Sequence, residues 1–340
     1  MPNAYPTTVT VNVGALSIED VVAVARYGAQ VEIAPAALEE VAATRERVEE
    51  LAQDPTPVYG ISTGFGALAR RHIPEEMRAQ LQLSLVRSHA AGTGPEVEEE
   101  VIRALMLLRL STLCTGRTGV RPVVVETYAK ALNAGIVPVV REYGSLGCSG
   151  DLAPLAHCAL ALLGEGEVRV NGELQDAGEA LAAAGIEPLQ LREKEGLALI
   201  NGTDGMLGQL CLAITDLRAA AKTADIATAM TVEGLLGTLV VFADDLQLLR
   251  PHPGQADAAA NILQVAEGSE ILEAALEEFK KNQVQDAYSV RCAPQVAGGF
   301  RDTLTHTAQV AERELAAAVD NPVVTKDGRV VSNGNFHGAP

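Results

Sequence analysis

Apolar residues recur at three- and four-residue spacing through seven segments, 36–53, 75–89, 95–113, 122–133, 206–223, 257–280 and 301–319. A helix gathers that period onto one face and a strand scatters it, so most of the chain is committed to α-helix. Pro35, Pro74 and Pro95 stand where helices would begin, and proline is preorganised for the first helical position. Strand signals are few: Thr8 to Val13 alternates, and Glu167–Val170 with Glu173–Gln175 reads as a hairpin turned by Asn171-Gly172. The expected fold class is mainly α with minor β. Texture changes near residue 200, from loops and short elements to longer Ala- and Leu-rich helices, which places an N-terminal domain at 1–200 and a helical domain at 201–340.

The 340 residues are 48% hydrophobic, enough for a substantial core, and carry a net charge of −18. That charge disfavours nucleic acid and anionic membrane as main partners, since both recruit clustered Lys and Arg. The longest apolar run, Leu235 to Ala243, ends at Asp244-Asp245, and the first residues have neither a basic nor an apolar leader pattern, so no membrane span or signal is expected. Cys114, Cys148, Cys158, Cys211 and Cys292 show no C-x-x-C spacing, which reads as reduced thiols and a cytoplasmic location. His72, His89, His157, His252, His306 and His337 lack ligand spacing, and no metal is expected.

Four loops interrupt the helices: Tyr59 to Gly66 (YGISTGFG), Gly144 to Asp151 (GSLGCSGD), Asn201 to Gly205 (NGTDG) and Asn333 to Gly338 (NGNFHG). Aromatic residues are only 3% of the chain, yet Tyr59, Phe65 and Phe336 all fall in these loops. Any one loop reads as a turn with a buried anchor; four of them point to a shared site. Familiar chemistries fit poorly. Gly147-Cys148-Ser149-Gly150-Asp151 lacks the closing glycine of a serine-hydrolase elbow. Cys148 with His89 or His157 would make a thiol nucleophile and base, but a small buried cysteine is the commoner situation. The 59–66 loop lacks both the Lys-Ser/Thr ending of a phosphate loop and the dinucleotide pattern.

Ser149-Gly150 also permits a backbone reaction. The Gly150 nitrogen can attack the carbonyl of residue 148, because glycine offers the least hindered approach and the widest choice of dihedrals. A five-membered ring closes, and loss of water from that carbon and from the Ser149 side chain leaves an exocyclic alkene. Spacing alone does not separate this loop from an ordinary Gly-Ser-Gly turn.

The segment 144–157 (GSLGCSGDLAPLAH), taken with 59–66, Ser88 to Gly92 (SHAAG), Asn201 to Met206, Gln285 to Gln295 (QDAYSVRCAPQ) and Gly334 to Gly338, resembles the ammonia-lyases that carry a methylidene-imidazolone (MIO) group, and among them the histidine ammonia-lyases. The motifs occur in that family's order from one end of the chain to the other. The resemblance implies an MIO formed autocatalytically from Cys148, Ser149 and Gly150, where most members have Ala in place of Cys148. It implies elimination of ammonia from L-histidine to give trans-urocanate, with Tyr59 as general base, Arg291 binding the carboxylate, Asn201 and Gln285 hydrogen-bonding the carboxylate or ring, Tyr288 near the developing charge, Phe336 packed along the substrate or ring, and His89 on the imidazole side. A phenylalanine or tyrosine lyase, an aminomutase, or an inactive shortened scaffold is the alternative. The family's fold has an N-terminal mixed region bearing the MIO loop and a central helical bundle, and its members are homotetramers longer than 340 residues, against which this chain reads as C-terminally truncated.

Overall fold

A computed structural model describes residues 5–54, 58, 60–64, 66, 70–282 and 284–339. It is mainly helical with small sheets, as the apolar period requires. The chain divides into two compact units, Met1–Leu212 with Ala311–Pro340, and Ala213–Val310. The change expected at residue 200 therefore comes later, and 311–340 belongs with the first unit. Both boundaries fall inside helices, Asp204–Gly234 and Ala293–Leu315, where composition gives no signal.

In the first unit, Thr8–Val11 pairs in parallel with Gln30–Ile33 across the helix Ile18–Tyr27. That helix starts with a Ser17/Asp20 capping box, which satisfies two amide donors that helix geometry leaves unpaired. It ends at Gly28, whose φ of 67° suits a left-handed cap. The helix Glu99–Cys114 is the spine of this unit. Nearly every residue from Ile102 onward is buried, and the helices Ile18–Tyr27, Pro35–Gln53 and Pro122–Asn133 pack against it. The hairpin forms as read, Glu167–Val170 against Glu173–Asp176, with positive φ at both Asn171 and Gly172. A third strand, Ile136–Pro138, extends that sheet.

Pro35 opens its helix as expected, whereas Pro74 is the residue before its helix and Pro95 lies in the short strand Thr93–Glu96. In the second unit the single helix anticipated over 257–280 is two, Pro253–Val265 and Glu270–Asn282, parted at Gly268 with φ 74°. Ala229, Val232, Phe242, Ala259, Ile262 and Leu272 form its core. The run Glu195–Gly234 is long and apolar enough to cross a membrane by length and composition, but 67% of its apolar window is buried inside the fold.

Candidate active site

The 144–151 loop is closed on itself. Leu146 N–H donates to the Gly150 carbonyl at 3.2 Å and Gly150 N–H donates to the Gly147 carbonyl at 2.9 Å, around a short 3-10 turn, Gly147–Ser149. Cys148 and Ser149 are exposed, so Cys148 is not the buried thiol its type favours. Its sulfur lies 3.8 Å from the Ser149 hydroxyl. Gly150 has φ +97°, and a Cβ there would stand 2.8 Å from the Gly202 carbonyl oxygen. Only glycine fits this contact without strain.

Asp151 anchors the loop. Its backbone N–H donates to the Gly202 carbonyl at 2.7 Å, its carboxylate accepts from the Ser145 hydroxyl at 2.5 Å and from the Met206 N–H at 3.0 Å, and its backbone carbonyl accepts from Leu155 N–H. The carboxylate thus caps the first turn of Asp204–Gly234, where a helix favours negative charge. Burial raises the Asp151 pKa against the opposing pull of these donors and of Arg109.

Two buried charges hold the neighbouring 201–205 loop. Arg109, fully buried on the spine helix, donates to the carbonyls of Ala198, Asn201 and Val319 at 2.9–3.3 Å, and its Nε lies 3.5 Å from Asp204 Oδ2. Lys194, also fully buried, pairs with Asp320 at 2.6 Å. Asn201 donates to Asp320 Oδ1 and the Asn321 carbonyl, both at 3.1 Å, so its amide nitrogen serves the scaffold. Asn321 Oδ1 accepts from Ser332 and from the Asn333 N–H, Asn333 Nδ2 donates to the Asp320 carbonyl, and Asn333 Oδ1 accepts from the Asn335 N–H. The 333–338 turn is thereby seated beside the 144–151 loop, where Gly338 N–H donates to the Cys148 carbonyl at 3.1 Å. Phe336 is half-buried in that turn.

His89 ends the helix Glu75–His89. Its Nδ1 sits 2.9 Å from the Leu85 carbonyl, to which it donates, leaving Nε2 as its other ring nitrogen. His157 behaves differently: its Nε2 accepts from the Gly92 N–H at 3.1 Å, which places the ring proton on Nδ1. Burial, then the Arg141 charge, holds the His157 pKa below its usual 6.5. The unfolded chain therefore takes up this proton first on acidification, and the stability that His157 contributes above pH 6.5 is lost as pH falls through the folded-state value. The thermal midpoint of His157→Gln, which keeps an acceptor, is expected to fall less than that of the parent between about pH 7.5 and about pH 5. Parallel midpoint curves would contradict this role.

In the first unit the fold thus brings together the loops 144–151, 201–205 and 333–338. Gln285, Tyr288 and Arg291 belong to the second unit. Gln285 and Tyr288 are exposed, and the Arg291 guanidinium lies 4.4 Å above the Tyr288 ring. Arg291 Nε is buried without a hydrogen-bond partner. Tyr59 and Phe65 lie outside the described residues. Asp151, Arg109, Lys194 and Asp320 escaped the sequence reading. Arg109, a charge inside the apolar run 104–110, carried a signal, as did Asp151 at the end of the 144–151 loop.

The residues fit an MIO: a glycine where a Cβ has no room, a serine beside it, and a preceding carbonyl already in a donor's grip. Among the described residues no His, Cys, Asp and Glu group could hold a metal ion.

Histidine ammonia-lyase from Streptomyces coelicolor is 62% identical over 334 residues, 98% of this chain and 65% of that protein. The solved tyrosine aminomutase from Streptomyces globisporus superposes with a TM-score of 0.90 at 39% identity, covering 97% of this chain and 65% of the other. Histidine ammonia-lyase from Trypanosoma cruzi gives 0.87 at 38% identity, covering 97% and 61%. The chain spans about 65% of the length of the Streptomyces histidine ammonia-lyases it matches. Residues 16–340 match the aromatic amino acid lyase family throughout, and the chain belongs to that family.

Proposed function

We propose that the protein eliminates ammonia from L-histidine to give trans-urocanate, using an MIO formed from Cys148, Ser149 and Gly150. The observation that carries this reading is the closed 146–150 turn, which presents Ser149 to solvent beside a glycine packed on the Gly202 carbonyl. When formed, the MIO supplies a carbon electrophile for the substrate amino group. The remaining work falls to side chains. Arg291 binds the carboxylate, its planar fork suiting two-point recognition that a lysine would not copy. Tyr59 removes the β-proton; a phenol with an ordinary pKa near ~10 needs cationic or donor neighbours to act as a base at neutral pH. Tyr288 lies near the developing charge, and Gln285 hydrogen-bonds the carboxylate or the ring; Asn201, whose amide N–H groups are held by Asp320 and Asn321, has only its Oδ1 to offer, as an acceptor. His89 offers its Nε2 to the imidazole, and Phe336 packs along substrate or ring.

The protein works as a homotetramer in the cytoplasm, with no nucleic acid or membrane partner. Support for assembly comes from the second unit, where Leu217, Ala221, Tyr288, Val296 and Phe300 line an open, largely apolar groove of about 520 Å³. The similarity to histidine lyases favours histidine over phenylalanine or tyrosine, while the similarity to tyrosine aminomutase makes a β-amino acid the alternative product.

The test combines intact mass with turnover. A protein two waters lighter than encoded that releases urocanate from histidine is expected, and His89→Leu should shift the kcat/KM ratio from histidine toward phenylalanine by about tenfold or more, one lost polar contact. A protein at full encoded mass without turnover would mean an inactive scaffold.

A further inference from the structure

Within that functional reading, which is a premise of the inference, one backbone group has no assigned part. Gly338 N–H points at the carbonyl oxygen of Cys148, 3.1 Å away, and that carbonyl carbon is the atom the Gly150 nitrogen must attack. The approach is close because residue 338 is glycine: a Cβ there would lie 2.5 Å from the Met206 Cε and 3.0 Å from the Gly147 carbonyl oxygen.

We propose that the Gly338 N–H is the oxyanion donor for ring closure, a positioned dipole aimed at the oxygen on which charge develops. The Gly150 nitrogen forms a bond to the Cys148 carbonyl carbon, and the carbonyl π pair moves onto the oxygen that faces Gly338. The proton on the Gly150 nitrogen passes to that oxygen, giving a hydroxyl. This hydroxyl leaves with the proton of the residue 149 nitrogen as the first water, and a carbon–nitrogen double bond forms between them. The Ser149 Cα proton and side-chain hydroxyl leave as the second water, which creates the alkene. No oxidant or reductant enters.

The donor is preorganised at a distance from the loop. His337 N–H donates to Gly334 and Ala339 N–H to His337 Nδ1, which fold the turn. Asn333 fastens it to Asp320 and Asn321, and Asp320 is locked by Lys194. A donor fixed before charge appears costs no reorganisation when it does, which is the basis of oxyanion stabilisation. The oxygen it holds departs with the first water, so this contact belongs to the precursor alone. Its loss should slow maturation.

The experiment follows intact mass with time after synthesis of the parent, Gly338→Ala and Gly338→Pro. Alanine adds a Cβ and keeps the N–H; proline adds the same Cβ and removes the N–H. The proline variant is expected to shed two waters about 10²-fold more slowly than the alanine variant, the usual effect of one oxyanion donor. Equal rates in the two variants, whether both fast or both slow, would overturn the proposal, because the cost would then lie in packing. Asn333→Ala, which frees the turn without adding bulk, is a second arm in case proline prevents folding. It should slow maturation by about tenfold, a partial loss of one positioned donor, and an unchanged rate overturns the proposal equally. A parent that never sheds the waters would instead defeat the reading of the function, which keeps the two failures apart.

Discussion

Gly150→Ala is expected to keep its full encoded mass and to lose ammonia release from histidine by about 10³-fold or more, the scale seen when a covalent catalytic group is removed. The reason is local geometry. Residue 150 sits at φ +97° and ψ 172°, a region essentially reserved to glycine where an L side chain is strained by about 1–3 kcal/mol, and the added methyl would meet the Gly202 oxygen at 2.8 Å. That oxygen cannot retreat freely, because it accepts the Asp151 N–H at 2.7 Å and its loop is pinned by Arg109. The loop must therefore move, taking the residue 150 nitrogen away from the Cys148 carbon. Mass spectrometry and a urocanate absorbance assay check both halves. Normal activity at two waters below the encoded mass would show that crowding against Gly202 does not govern closure.

Lys194→Met should cost about 3–5 kcal/mol of folding stability, because it strands a carboxylate in the interior. Asp320 and Lys194 are both fully buried and 2.6 Å apart. Burial pushes the lysine pKa down, while the Asp320 charge and hydrogen bond push it back up, so the pair stands only as a pair. Asp320 also receives the Asn201 amide, and its backbone carbonyl receives Asn333. The expected fall in thermal midpoint is about 6–20 °C for a unit of this size. Lys194→Met combined with Asp320→Asn removes the stranded charge and should recover part of the loss. A single variant within about 1 kcal/mol of the parent would mean that water already reaches the pair.

The fold is legible in the sequence wherever a local rule sets the backbone. Asn171-Gly172 names its own hairpin because both residues tolerate positive φ, and helices with one apolar face announce themselves by period. The helix Leu152–Leu162 does not, since it is apolar nearly all round and shows no period. Gln30–Ile33 is four residues long and finds its parallel partner across a helix, information no short window contains. At the site, the residues proposed to react can be named from the 144–157 motif, whereas their supports cannot. Arg109 meets a carbonyl at residue 319 and Lys194 a carboxylate at residue 320, and a charge in a sequence does not disclose such distant partners. The motif around Asn201 suggests a substrate contact, yet the structure commits its amide nitrogen to that scaffold.

The return of 311–340 to the first unit gives the molecule an order of events in time. A ribosome makes Ser149 long before it makes Gly338, so a nascent chain holds its loop without the distant amide proposed to assist its closure. On the proposed ring closure, maturation is thus slowed until the unit has closed around its own late residues, and stalled or prematurely ended chains should shed their two waters about 10²-fold more slowly.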